Sequence, residues 1–396
     1  MKTKNILILT YWDFHDALIQ TYTLPYVKII ANQIDHQSKI YLVTLNKNAA
    51  AINFSHPKIK LLSFKYIPFG MKAIFYYAFM ILYFFLFIFN KKINYIHAWC
   101  TPAGVFGYIL SILTGRKLII DSYEPHAESM VEAGQWSKKS LAYKILFFFE
   151  RKMTHRAKYL IATTEKMITN YAASRFSFNP DKKNWFVKPA CVDMELFRPD
   201  EKKRNFLRKK LNIENKITGI YAGKFGGIYL ENEFFEWLKI AQDYWKDNFH
   251  FLLLTSHPIE FIRKKCKEYH IDMNCLTVTF VPHKEVPLYL NAADFALTPV
   301  KPVYTKRFCS PIKDGEYWAM GLPVIIPSNI SDDSCIIEKH QAGYVLKNFT
   351  TQEYLKSVET IDKLVKQNLR DKITEIAKKY RNFDHIQHIY RSIYGD

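Results

Sequence analysis

The chain has 396 residues, of which 49% are hydrophobic and 16% aromatic, and its formal net charge is +19. That length is too great for one core and suits two domains of about 180–200 residues, and the apolar share is ordinary for a globular enzyme. The basic excess implies an anionic partner such as a nucleic acid, anionic lipid headgroups or a phosphorylated substrate. The lysines are spread along the chain and no nucleic-acid motif accompanies them, which argues against the first. Six scattered cysteines form no C-x-x-C pair and no Cys/His cluster of zinc spacing, which reads as reduced cytosolic thiols and no metal site.

Residues 5–10 (NILILT) are an apolar run suited to the first buried strand of a parallel sheet. They follow Lys2 and Lys4 at once, which is not a secretory leader pattern. The next loop, residues 11–16 (YWDFHD), is aromatic and acidic and leads towards a helix near Ala17. Residues 39–44 and 59–63 read as further strands. Residues 73–89 (AIFYYAFMILYFFLFIF) carry no charge, with Lys72 before them and Lys91 and Lys92 after. A bilayer span needs ~20 such residues, and strand-like segments on both flanks would fall on opposite sides of the membrane. The other readings are a helix buried in the first domain, and a helix partly exposed that dips into the membrane surface. Flanking cations, interfacial Tyr and Phe, and the net charge favour contact with anionic lipid. Residues 95–98 are short and apolar, 101–114 read as a helix, and 117–121 as a strand. The loop at 122–130 (SYEPHAESM) brings Glu124, His126 and Glu128 to a strand end, where open α/β sheets bind ligands. The ordinary reading of His126 is a capping or surface histidine.

Residues 200–210 are charged and helical and open the second half. Residues 217–223 form its first strand, followed by Gly223, Lys224, Phe225, Gly226 and Gly227. A glycine-rich loop between strand and helix lets backbone approach phosphates, and a lysine there meets them as a point charge. Residues 249–255, 277–281 and 295–300 continue the strands. Residues 310–326 (SPIKDGEYWAMGLPVII) read as loop, helix, turn and strand. Ser310 suits the N-cap and Pro311 the first helical position. Gly321 suits a left-handed stop, and Pro323 precedes an apolar strand. Lys313 lies in the first helical turn, where the macrodipole disfavours a cation, which suggests a bound anion. Glu316, one turn further, can accept hydrogen bonds from two vicinal hydroxyls. The ordinary reading is a capped helix with solvated charges. The segment from 353 onwards is helical and charged.

The pattern S-P-x-K-x-x-E-Y-x-A-x-G-x-P-V at 310–324 resembles the donor-binding segment of family 4-like glycosyltransferases of GT-B fold. The run V-D-M-E-L-F-R-P at 192–199 is similar to that family's interdomain signature, with Ala190-Cys191 where Asn-Gly is usual. Glu128, Gly134 and Trp136 match a further first-domain pattern. A second Glu common in the family is replaced by Phe308, and the loop after the first strand lacks the glycines often found there.

The resemblance implies two Rossmann-like domains facing across a cleft, spanning 1–190 and 191–375, with 376–396 crossing back to the first. It implies a retaining enzyme that moves a sugar from a UDP- or GDP-linked donor to a hydroxyl, with no cofactor and no divalent metal. Glu316 would hold the ribose. Gly223, Lys224, Phe225, Gly226 and Gly227, with Ser310, Pro311, Ile312 and Lys313, would meet the diphosphate, and Lys306 and Arg307 are further cations for it. Val281, Pro282 and His283 would hold the base. His126 would act at the reaction centre, while Asp13, His15, Asp16 and Glu128 would face a lipid-linked or saccharide acceptor. The expected setting is cytoplasmic, peripheral on the inner face of the membrane, in polysaccharide or glycolipid synthesis. A nucleotide-sugar epimerase and a catalytically silent membrane-bound partner of an active transferase are the alternatives.

Overall fold

Short apolar runs, the central ones buried on both faces, build two all-parallel sheets, one in each half of the chain. The computed structural model describes residues 3–16, 18–47, 52–68 and 70–395; Ala17, where a helix start is expected, lies outside them. The chain divides into two units, Met1–Pro189 with Ile386–Asp396, and Ala190–His385.

In the first unit the strands are β1 (Asn5–Leu9), β2 (Ile40–Asn46), β3 (Ile59–Lys65), β4 (Ile93–Trp99), β5 (Lys117–Tyr123), β6 (Tyr159–Ala162) and β7 (Asn184–Val187), in the order β3-β2-β1-β4-β5-β6-β7. Leu9 stands opposite Val43 on β2 and Ala98 on β4. The strand order reverses between β1 and β4, so their carboxyl ends flank the topological switch point where such sheets bind ligands. Helix α1 (Leu24–Gln33) follows β1. The uncharged run forms α2 (Met71–Asn90), which packs on α3 (Thr101–Thr114). Ala73, Met80, Phe84 and Ile88 turn inward on α2, while Phe75, Phe79 and Leu86 are more than half exposed. The strands flanking α2, β3 and β4, belong to one sheet, so the helix is a crossover of that sheet and the spanning reading is set aside.

The helix Gln387–Tyr394 packs back into this first unit through a buried charged cluster. Asp121, at the end region of β5, receives the Lys188 ammonium at 2.9 Å and the Tyr390 hydroxyl at 2.8 Å. His97 bridges Asp121 Oδ2 (3.1 Å) and the Tyr394 hydroxyl (2.6 Å). Lys188 also sits 3.7 Å from the Tyr26 ring centre and 4.3 Å from that of Trp99. Burial alone would raise the Asp121 carboxyl; Lys188 and His97 overcome it and bring it to about 2.

The second unit carries β8 (Ile217–Ala222), β9 (Phe249–Leu254), β10 (Leu276–Thr279), β11 (Phe295–Leu297), β12 (Val324–Pro327) and β13 (Gly343–Leu346), ordered β10-β9-β8-β11-β12-β13. Two apolar layers cover its faces. One centres on Tyr317, Trp318 and Ile326, the other on Phe234, Trp237 and Phe251. The reversal falls between β8 and β11, and the loops that follow these strands carry the glycines and the 310–313 turn.

Candidate functional site

The second unit gathers three segments at its switch point. The loop after β8 is held from below: Gly223 N–H donates to Leu254 O at 2.9 Å, and the Tyr221 hydroxyl donates to Lys224 O at 2.5 Å. Phe225 is buried in the aromatic layer and its N–H donates to His257 Nε2 at 2.9 Å, so it supports the loop and offers no free donor. Gly226 and Gly227 adopt φ of +78° and +59°, and a Cβ on either would meet nothing within 4 Å. Their conformation calls for glycine while the space over them stays open. Lys224 is exposed.

The helix Ile312–Ala319 begins one residue later than the sequence reading places it. Pro311 is its N-cap and no side chain caps its first amides. Ser310 is not the cap: its hydroxyl accepts the Ala190 N–H at 3.0 Å and a hydrogen bond from the Arg381 guanidinium. The other side of that guanidinium pairs with Asp333. Asp314, wholly buried, accepts the Thr298 hydroxyl and hydrogen-bonds Asp333. Burial first, then the neighbouring Asp333, pushes the Asp314 carboxyl well above its usual range, with the Arg381 guanidinium opposing. This network fixes the turn at 310–311, and the amides of Ile312 and Lys313 have no side-chain partner. Lys313 reaches Tyr229, 3.4 Å from its hydroxyl and 4.9 Å from its ring centre. Tyr229 itself bridges to Gly226 and to Val300, so the glycine loop and the helix start meet through one tyrosine. Lys306 is buried and Arg307 lies over the Tyr304 ring, while Phe308 is buried against that same ring.

The third segment follows β10. Val281 is half-buried, Pro282 exposed, and His283 Nε2 lies 2.7 Å from Glu316 Oε1. Burial lowers the His283 pKa, but the Glu316 carboxylate more than offsets this and the net direction is upward. The histidine expected at the base and the glutamate expected at the ribose thus form one hydrogen-bonded pair beside an uncapped helix start.

In the first unit the loop after β1 is self-structured. Asp13 is buried; its Oδ1 accepts the His15 N–H at 2.9 Å and its Oδ2 the Lys47 N–H at 2.7 Å. That carboxylate shapes the loop, and the half-exposed His15 ring beside it is the surface group. Asp16 Oδ1 likewise accepts the Leu18 N–H at 2.8 Å. His126 opens the helix α4 (His126–Glu132), and Glu128 is buried with Arg175 at 3.4 Å. Beneath α4 lies a residue that the sequence reading missed. Glu150, on α5 (Leu141–Arg156), is buried and accepts the Ala127 N–H at 3.0 Å. Burial, with Glu128 adding repulsion and the Ala127 and His126 amides opposing, raises its carboxyl to about 8. No local sequence signal marks Glu150, because its partner is 23 positions away.

No protein-family profile and no curated protein matches the sequence. Solved structures do match over almost the whole chain. Sucrose-phosphate synthase from Thermosynechococcus elongatus superposes with a TM-score of 0.74 at 15% identity, covering 98% of this chain and 99% of that one. The fold is GT-B. Two other GT-B structures agree. WaaG, a glycosyltransferase involved in lipopolysaccharide biosynthesis, gives 0.72 at 13% identity over 99% of this chain and 100% of its own. Anabaena HepE in complex with UDP and glucose gives 0.71 at 12% identity over 99% of both. At these identities the likeness concerns the GT-B architecture alone, with its pair of parallel α/β sheets.

Proposed function

We propose that this chain is a retaining glycosyltransferase whose second unit binds a nucleotide-diphosphate sugar, UDP- or GDP-linked. The observation that carries the reading is the His283–Glu316 pair beside the uncapped start of Ile312–Ala319. Glu316 accepts hydrogen bonds from the ribose hydroxyls, and the 281–283 segment flanks the base. The diphosphate lies against the helix amides, Lys313 and the open backbone at Gly226 and Gly227, with Lys224 adding charge. Those fixed N–H groups and cations stabilise the leaving diphosphate as the sugar–phosphate bond breaks, which is the task a divalent metal performs elsewhere. Phe225 and Ser310 support the site from behind. His126 and the half-exposed His15 serve the acceptor side, with Glu128, Asp13 and Asp16 setting the shape of their segments.

The acceptor is a lipid-linked saccharide of polysaccharide or glycolipid synthesis, met at the cytoplasmic membrane surface. Two features support this. The outward face of α2 presents Phe75, Phe79, Leu82 and Leu86 between Lys72 and the Lys91-Lys92 pair. No Asp or Glu occurs between Asp35 and Asp121, while Lys and Arg recur throughout that stretch. WaaG, whose fold this chain shares, is involved in lipopolysaccharide biosynthesis, and HepE was solved with UDP and glucose.

The test is donor turnover by the purified full chain, followed as release of UDP or GDP from a panel of their sugars with and without a membrane lipid extract. The proposal expects one nucleotide to be released faster with extract than without it. Turnover of the donor sugar without nucleotide release would make the chain an epimerase, and no turnover of any donor would leave the silent-partner alternative.

A further inference from the structure

The first unit contains an apolar cavity of about 290 Å³ at the carboxyl ends of β1 and β2, walled by α2 and α3. Leu9, Tyr11, Val43, Met80, Ala103 and Phe106 are among its lining residues. Its size is at the lower end of ligand pockets. Its walls offer too few polar partners to hold a water cluster, so it suits hydrocarbon. Thr10 and Tyr11 make one end of it polar. Tyr11 opens the 11–16 loop, its ring packs edge-on against Tyr66 at 5.9 Å, and the Lys47 ammonium stands 5.2 Å from the Tyr66 ring centre. The Tyr77 hydroxyl, on α2, donates to Ile67 O at 3.2 Å and closes the wall on that side.

We infer that this cavity holds the first part of the aliphatic chain of a lipid-phosphate acceptor, with Lys47 meeting its phosphate. The inference rests on the lipid-linked acceptor proposed above and adds a defined site to it. The charge argument selects this occupant: residues 36–120, which supply α2 and α3, hold ten Lys or Arg and no Asp or Glu. Lys47, an exposed cation, lies beyond Tyr66 from the lining Tyr11, and Asp13, whose Oδ2 accepts its N–H, is the acid beside it. This complements an anionic headgroup on a single chain. The outward face of α2 is a different surface. It would rest on the bilayer, whereas the cavity, on the helix's inner side, would take a chain drawn out of it. Taking a methylene as near the ~30 Å³ share of one water, the cavity accommodates roughly ten carbons.

The experiment is calorimetric titration of the full chain with alkyl phosphates from six to sixteen carbons, each below its critical micelle concentration. The expected result is saturable binding in which Kd tightens about fourfold per added methylene and then levels off near ten carbons. Ala103→Phe, which places a ring in the cavity, should weaken decyl phosphate about tenfold or more and shorten the cut-off. Ile109→Trp, made at a less buried lining position, provides the same test if the first variant folds poorly. Lys47→Ala should weaken decyl phosphate several-fold and leave decanol unchanged. A parallel arm measures sedimentation with phosphatidylglycerol vesicles: Phe75→Glu with Phe79→Glu should abolish it while decyl phosphate binding persists. Failure of vesicle binding with alkyl binding intact would remove the membrane-surface reading and leave the cavity assignment standing. No saturable alkyl binding, or affinity that keeps climbing with length and ignores both cavity-filling variants, would overturn the cavity assignment.

Discussion

Glu150→Gln isolates the carboxyl that supports the His126 segment. In the folded chain Glu150 is buried under α4, accepts the Ala127 N–H, and is raised from 4.5 to about 8. The folded state therefore holds a proton that the unfolded chain has released over that interval. Its contribution to stability is intact below pH 4.5 and is lost as pH rises towards 8. At about 1.4 kcal/mol per pH unit the loss accumulates to about 3 kcal/mol by pH 7. Glutamine keeps an acceptor for the Ala127 amide and cannot titrate. The variant should match the parent near pH 4.5 and exceed it by about 3–4 kcal/mol at pH 7.5. Urea denaturation of both proteins between pH 4.5 and 8.5 reads this directly, since titrating groups that do not interact with Glu150 cancel in the difference. A pH-independent difference, or a variant less stable than the parent at pH 8, would show that Glu150 is ionised and caps α4 as an anion, and would refute the reasoning.

Glu316→Gln should lower the His283 pKa, because burial then acts on the imidazole without its carboxylate partner; NMR of the ring C–H signals measures this, and an unchanged titration would deny the pair. Lys188→Met should destabilise the chain by about 3–5 kcal/mol, because it strands the buried Asp121 carboxylate, and adding Asp121→Asn should recover part of that loss in the same denaturation assay. Asp121 is also a source of acid sensitivity: its contribution is present above pH 3.8 and lost as pH falls towards about 2, so Asp121→Asn should flatten the acid limb of the stability profile. Gly321→Ala should cost about 1–3 kcal/mol, because that position has φ of +71° and the new Cβ would meet the Arg370 carbonyl at 2.7 Å; an unchanged melting temperature would contradict it.

Much of the architecture was legible because its signals are local. The apolar runs at 5–10, 117–121 and 217–223 mark strands through their own composition, and Gly321 and Pro323 mark the end of a helix in consecutive residues. Each of these three strands is largely buried on both faces in one parallel sheet or the other, which is why such runs are continuous and not alternating. The candidate site was legible in the residue types but not in their pairings. Ser310 has the chemistry of an N-cap, yet its hydroxyl is engaged by Ala190 and by Arg381, 71 positions on. Phe225 sits inside a glycine-rich loop and still turns into the aromatic layer, because a tertiary pocket outweighs loop position. The Asp314–Asp333–Arg381 network and Glu150 beneath α4 arise from packing between distant segments, for which no short pattern exists. For α2 the composition alone left three readings, and sheet order decided against a span: β3 and β4 are strands of the same sheet.

The most direct test of the central claim is calorimetric titration of the full chain with UDP and GDP, with and without magnesium, repeated on Glu316→Ala. The account predicts saturable one-to-one binding of one of the two nucleotides, independent of magnesium. It predicts that Glu316→Ala weakens this binding about tenfold or more, the loss of hydrogen bonds to a charged group, while the melting temperature stays close to that of the parent. Absence of binding by both nucleotides, or an affinity untouched by Glu316→Ala, would contradict it.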